Sequence, residues 1–162
     1  MKQTKKDIFW MKKAIFLAEK AKEKSEIPVS AILVYEDKLI AKGWNNPVLY
    51  HDPCAHAEIL TLRKGGQYLQ NYRLINTTLY VTLEPCIMCA GAIINARVSR
   101  LVYGAYNQKT GAAGSVIDLF NHADINHHIV VFGGILADQC SEMLCSFFKR
   151  RRTEKLEKKH QC

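Results

Sequence analysis

Apolar residues first recur at helical intervals and then fall into short β-rich runs, and this alternation organises the whole chain. Over residues 7–24, Ile8, Met11, Ile15 and Ala18 lie three or four apart, which predicts an amphipathic first helix. Residues 28–35 and 38–44 are rich in β-formers and are joined by Glu36-Asp37, as in a hairpin. Residues 45–54 contain Pro47 and Pro53 and read as a loop. A helix is expected from near Ala55, carrying His56, Glu58 and Leu60 towards Arg63 and stopping at Gly65-Gly66. Residues 77–83 form another β run, and Glu84-Pro85 marks the change to a helix over 86–95. Pro85 suits that helix start, where its missing N–H costs nothing. Residues 100–105 and 128–132 predict two further strands, followed by a long basic helix from about 136 to 159. Strands alternating with helices imply a layered α/β fold, and the hairpin argues against a purely parallel sheet.

No repeat or linker divides the 162 residues, so a single domain spanning 1–162 is expected. The longest apolar stretches stop far short of the roughly 20 residues that a membrane span needs. The N-terminus lacks the unbroken apolar segment of a signal peptide. These features predict a soluble, cytoplasmic protein. In such a chain Cys54, Cys140, Cys145 and Cys162, which have no framework spacing, are expected to be free or buried thiols. The net charge of +8 favours a polyanionic partner.

Composition says little about chemistry; one pair of motifs says much more. His56-Ala57-Glu58 is followed by Pro85-Cys86-Ile87-Met88-Cys89, which supplies three zinc-type ligands and one spare carboxylate. Structural zinc sites are closed by four protein ligands, whereas catalytic sites keep three and leave the fourth position to water. The spacing matches the H-x-E…P-C-x-x-C signature of zinc nucleobase deaminases. His56, Cys86 and Cys89 are therefore the expected ligands of one Zn2+ per chain, with Glu58 as the catalytic proton carrier. At a helix start, Cys86 and Cys89 would feel the positive end of the dipole, which favours the thiolates zinc requires.

The tail Phe147-Phe148-Lys149-Arg150-Arg151-Arg152, with Lys155, Lys158 and Lys159, combines aromatic rings with positive charge, as in proteins that hold loop RNA. Helical spacing of Met143, Leu144, Phe147 and Phe148 is equally compatible with a core face and solvated lysines.

The chain resembles the bacterial tRNA-specific adenosine deaminases of the cytidine deaminase superfamily. Beyond the zinc motif, the resemblance rests on Ile27-Pro28-Val29, Gly43-Trp44-Asn45, His51-Asp52-Pro53, the segments 70–74 and 78–86, Lys109 to Ser115, Asn126-His127 and the segment 133–138. It implies a three-layer α/β/α cytidine-deaminase-like fold with a central mixed five-stranded sheet. It also implies a homodimer, and inosine formation at the wobble position of a tRNA anticodon. By the same resemblance, Asn45 binds the adenine or its ribose, and Val29 and Leu83 line the base pocket. Arg73, Lys109 and Asn126 contact the splayed loop, while Phe148 and Arg152 meet the anticodon stem-loop.

Three positions depart from the family's usual pattern: Ser30 for glycine, Cys54 for threonine, and Asn107 for an acidic residue near the expected ribose contact. Asn107 keeps an acceptor and drops the charge, which weakens the expected discrimination between RNA and DNA. The residues themselves leave two rivals. One is a free-base or nucleoside deaminase acting on guanine, cytosine or cytidine, and the other a noncatalytic zinc-stabilised RNA-binding module.

Overall fold

The computed structural model describes residues 4–160, with side chains to residue 157. Cys162 and the side chains of Lys158 and Lys159 therefore lie outside the described part. Helix α1 (Lys5–Glu23) starts at Thr4, whose hydroxyl accepts from the Asp7 N–H at 3.1 Å. Its buried stripe includes Trp10, Met11, Ala14, Leu17, Ala18 and Ala21. Ile8 and Ile15 are only half-buried, so the stripe is rotated from the expected one. The small Ala14 and Ala18 let the helix lie close to the sheet.

Strands β1 (Ser30–Tyr35) and β2 (Lys38–Trp44) form the expected hairpin. Glu36 and Asp37 both have positive φ (46° and 59°), as a two-residue type I′ turn requires. The expected loop after β2 instead contains a short helix α2 (Pro47–Tyr50), with Pro47 in its first turn. It is held by buried Glu26, whose carboxylate accepts from the Leu49 N–H at 2.7 Å.

Helix α3 (Ala57–Leu69) starts two residues later than expected and continues through Gly65-Gly66, ending where Gln70 turns to φ 51°. Gly65 is a packing residue rather than a stop, because a Cβ there would run into the Leu33 side chain. Strands β3 (Thr77–Leu83) and β4 (Arg100–Ala105) match expectation. Helix α4 (Ile87–Asn95) has Cys86 as its N-cap, so Pro85 precedes the helix instead of opening it. Strand β5 is confined to Val130–Phe132, because only these residues pair with β4. The long final helix α5 spans Ala137–His160.

The sheet order is β2-β1-β3-β4-β5, with β1 antiparallel to both neighbours and β3, β4 and β5 mutually parallel. Side-chain alternation divides the core in two. Ala31, Leu33, Leu79, Val81 and Leu101 face one layer, with Leu62 of α3 and Ile93 of α4. Ile32, Val34, Tyr80 and Val102 face the other, with Met11 of α1 and Cys140 of α5. The result is the expected α/β/α arrangement around a mixed five-stranded sheet.

One buried polar cluster ties α1 to this sheet. Asp7 accepts a two-pronged contact from Arg100 (2.7 and 2.9 Å), and also accepts from Tyr80 at 3.0 Å and Thr4 at 2.6 Å. Burial alone would raise the Asp7 pKa, but bonds from Arg100, Thr4 and Tyr80 prevail and hold it at about 2. A depressed carboxyl pKa contributes stability in full above its ordinary value of 3.8, and loses it as pH falls towards 2. Asp7→Asn should therefore lower unfolding free energy at pH 7 by about 2 kcal/mol. In denaturant titrations the gap to wild type should close between pH 5 and pH 2; a constant gap would show that the charge is not what stabilises.

Candidate metal centre and active site

The two motifs meet because α3 and α4 begin side by side on one face of the sheet. His56 is the N-cap residue of α3 in extended conformation, and its side chain makes no capping bond. The Asn45 side chain from the end of β2 caps the helix instead, its oxygen accepting from the Ala57 N–H at 2.9 Å. The imidazole is thereby left free to face α4. Cys86 likewise ends an extended segment, its carbonyl accepting from the Ala90 N–H at 2.8 Å, and Cys89 lies one turn on.

His56 Nδ1 lies 3.5 Å from Cys89 Sγ and 3.7 Å from Cys86 Sγ, and the three ligand atoms fall within 4.8 Å of one another. A tetrahedral zinc with ordinary bond lengths separates its nitrogen and sulfur ligands by about 3.6 Å. The donor set therefore fits zinc. Among the described residues, no fourth His, Cys, Asp or Glu joins the group, so a zinc held there would have three protein ligands. Cys54 is exposed and stands apart from it.

The electrostatics agree with a cation site. The Cys89 thiol, against the cost of burial and with help from His56, draws the Cys86 thiol down to about 4. Cys89 itself, beside that negative sulfur and buried, is pushed up. Two thiols thus share one negative charge, and a dication is the natural counterpart for a second. Glu58 lies beside them in the first turn of α3, only 4% exposed. Burial raises its carboxyl to about 7, so it can gain or lose a proton near neutral pH.

Other residues singled out in the sequence are distributed unevenly. Asn45 is buried at the start of α3, and its N–H donates to the Val29 carbonyl at 3.0 Å. Val29 belongs to the core, and Leu83 is half-buried at the end of β3. Asn107 and Lys109 lie on the loop after β4. There the Asn107 oxygen accepts from the Lys109 and Thr110 N–H groups (both 3.2 Å), while its amide donates to Thr110 at 2.8 Å. Arg73, Asn126, Phe148 and Arg152 occupy exposed surface outside the pocket. Arg73 Nε donates to its neighbour Tyr72, and the Asn126 carbonyl accepts from Arg97 at 3.5 Å. Phe147 is core at 3% exposure, whereas Phe148 is 43% exposed one position on.

Sequence reasoning noted Ser30 only as a departure from the family pattern and gave Glu84 no role. The Ser30 hydroxyl, where glycine was expected, donates to the Ala14 carbonyl at 2.5 Å and links β1 to α1. Glu84 is buried at 1% exposure beside the Pro85-Cys86 segment and binds the loop that carries Asn107 and Lys109. Its only signal was a carboxylate placed where a strand turns into the ligand helix.

Comparison with known proteins agrees with this geometry. Residues 4–105 match the model of the cytidine and deoxycytidylate deaminase zinc-binding region. The chain is 52% identical over 146 residues to the tRNA-specific adenosine deaminase of Haemophilus influenzae, covering 90% of this chain and 84% of that one. It is 41% identical over 149 residues to the enzyme of that name from Bacillus subtilis, covering 92% of each. A solved structure from work on A-to-I editing by tRNA:A34 deaminases superposes with TM-score 0.80 at 40% identity, covering 83% of this chain and 97% of that one. A guanine deaminase from Nitrosomonas europaea is more distant, with TM-score 0.71 at 26% identity over 85% of this chain and 81% of that one. The chain therefore belongs to the zinc-binding cytidine and deoxycytidylate deaminase family and, within it, to the tRNA-specific adenosine deaminases.

Proposed function

We propose that this chain hydrolyses adenosine to inosine at the wobble position of a tRNA anticodon, with zinc held by His56, Cys86 and Cys89. The observation that carries the reading is a buried, unligated Glu58 beside a three-ligand pocket, in a chain matching a tRNA-specific adenosine deaminase over 90% of its length. When bound, zinc supplies a Lewis acid that makes water acidic near neutral pH. Glu58 accepts one proton from the attacking water as its oxygen adds to adenine C6, and passes that proton to ring nitrogen N1. It then carries the second water proton to the exocyclic amine. The C–N bond breaks, ammonia leaves, and a carbonyl remains.

The Asn45 NH2 orients the base or ribose, and Val29 and Leu83 border the base. Lys109, Arg73 and Asn126 meet the splayed anticodon loop. Asn107 faces the sugar with the amide hydrogen that Thr110 leaves unused. Phe148 and Arg152, one helical turn apart on α5, grip the stem-loop by stacking and charge. Replacing Lys149, Arg150, Arg151 and Arg152 together with Ala should weaken tRNA binding. The log–log salt dependence should flatten by about 0.7–0.9 for each phosphate the tail no longer neutralises, with zinc content unchanged. An unaltered slope would return the tail to the role of a solvated helix.

A homodimer accords with the apolar residues exposed around α3 and α4: Tyr68, Tyr72 and Ile87 are 62%, 71% and 58% exposed. No helix among the described residues is long and apolar enough to cross a membrane. Action on tRNA supports a cytoplasmic location.

The reading is tested by offering purified protein an anticodon stem-loop and, separately, guanine, cytosine and cytidine. Inosine in the stem-loop is expected. Ammonia from a small base alone would move the chain to the free-base or nucleoside deaminases. Stem-loop binding with no ammonia from any substrate would make it a noncatalytic RNA-binding module.

A further inference from the structure

Glu84 is a buried carboxylate held by neutral donors, and four of them converge on it from one loop. Oε2 accepts from the Asn107 N–H at 2.9 Å and from the Ser115 hydroxyl, and Oε1 accepts from the N–H groups of Ala113 (2.9 Å) and Ser115 (3.0 Å). The loop is wrapped closely around the carboxylate. A Cβ on Gly111 would lie 2.5 Å from Glu84 Cδ and 2.5 Å from the Asn107 carbonyl oxygen, so only glycine fits there. Buried charges are tolerated when hydrogen bonds replace the lost water, and here a single loop provides that replacement.

The same loop is also fastened to the metal-ligand segment. The Ala112 N–H donates to the Pro85 carbonyl at 2.8 Å, and Gly111 forms an antiparallel bridge with Cys86. Glu84, Pro85 and Cys86 thus hold residues 107–115 by side chain and backbone together. The other side of the loop presents Asn107 and the exposed Lys109.

We propose that Glu84 is a positioning residue for RNA: its carboxylate is the anchor around which the 107–115 loop folds, setting Asn107 and Lys109 in register with the metal ligands. The proposal rests on the tRNA reading above and adds a residue that touches neither metal nor base. Glu84→Gln keeps the shape but turns an NH2 towards groups that are themselves donors, so at least one bond becomes a clash. Ser115→Ala removes only the hydroxyl donor and should be a milder version of the same defect.

The test combines amide hydrogen exchange on the zinc-loaded protein with steady-state kinetics on an anticodon stem-loop. For Glu84→Gln we expect exchange to accelerate at least about tenfold at 107, or at 113 and 115 together, because the single amide oxygen of Gln can serve only one of these two sets of donors. Zinc should stay near one per chain. KM for the stem-loop should rise about tenfold with kcat within about threefold of wild type, and Ser115→Ala should shift both readouts the same way by less. Unchanged exchange in a folded, zinc-loaded Glu84→Gln protein would overturn the proposal. So would equal losses in kcat and kcat/KM with KM unmoved, because the defect would then lie in the chemistry. Should Glu84→Gln not fold, unchanged exchange and KM in Ser115→Ala would overturn it instead. A wild-type protein inactive on the stem-loop would refute the tRNA reading, while the exchange measurement would still judge the anchor.

Discussion

Glu58→Ala is expected to retain about one zinc per chain and a wild-type fold while losing at least about 10³-fold in kcat. Glu58 is not among the three ligand atoms, so its removal leaves the donor set intact. It is 4% exposed and lies where burial has raised its carboxyl to about 7. Truncating it removes a costly buried acid and leaves the proton transfers without a carrier. Stability should hold or rise, and that distinguishes loss of chemistry from loss of structure. Glu58→Gln is the companion variant, because it keeps the volume and abolishes the proton exchange. Single-turnover rates, metal analysis and thermal unfolding on the same preparations decide the matter. A rate within tenfold of wild type in either variant would mean that Glu58 has been given the wrong role.

Replacing Cys89 should have the broader effect, removing zinc, activity and part of the stability together. Cys89 is fully buried in the first turn of α4, with His56 Nδ1 3.5 Å from its sulfur. With two ligands left, metal binding should fall below one per chain. The linked stabilisation, which reaches about 10 kcal/mol or more in domains that zinc alone folds, is smaller here because two core layers persist without it. Cys86→Ser is the informative control. Serine is a good N-cap, so α4 keeps its start while the metal loses its thiolate. A folded, metal-poor, inactive Cys86→Ser protein would attribute the loss to zinc. Full activity in a preparation free of zinc would contradict the metal's part in the reaction.

Much of this site was legible from local spacing, because the metal ligands and Glu58 lie in two short motifs. Strands β2, β3 and β4 were legible to the residue, since alternation and β-branched content are properties of the segment itself. What stayed hidden depends on contacts between distant segments. Gly65 reads as a helix stop until Leu33 of β1 is seen pressed against it. Asn45 reads as a substrate ligand, yet its oxygen is spent capping a helix twelve residues on. Glu84 reads as part of a motif, and its donors come from 23, 29 and 31 residues further along. Asp7 likewise reads as a first-turn helix acid, and its partner Arg100 lies 93 residues further along.

The proposed reaction falls on one base of one class of molecule, and sequencing reads it directly. Purified wild-type protein and Glu58→Ala should each be incubated with unmodified total tRNA and the products reverse-transcribed. Inosine pairs like guanosine, so wobble adenosines should read as G after wild type and as A after Glu58→Ala, with adenosines elsewhere unchanged. Wild-type zinc-loaded protein that leaves every wobble adenosine reading as A would contradict it.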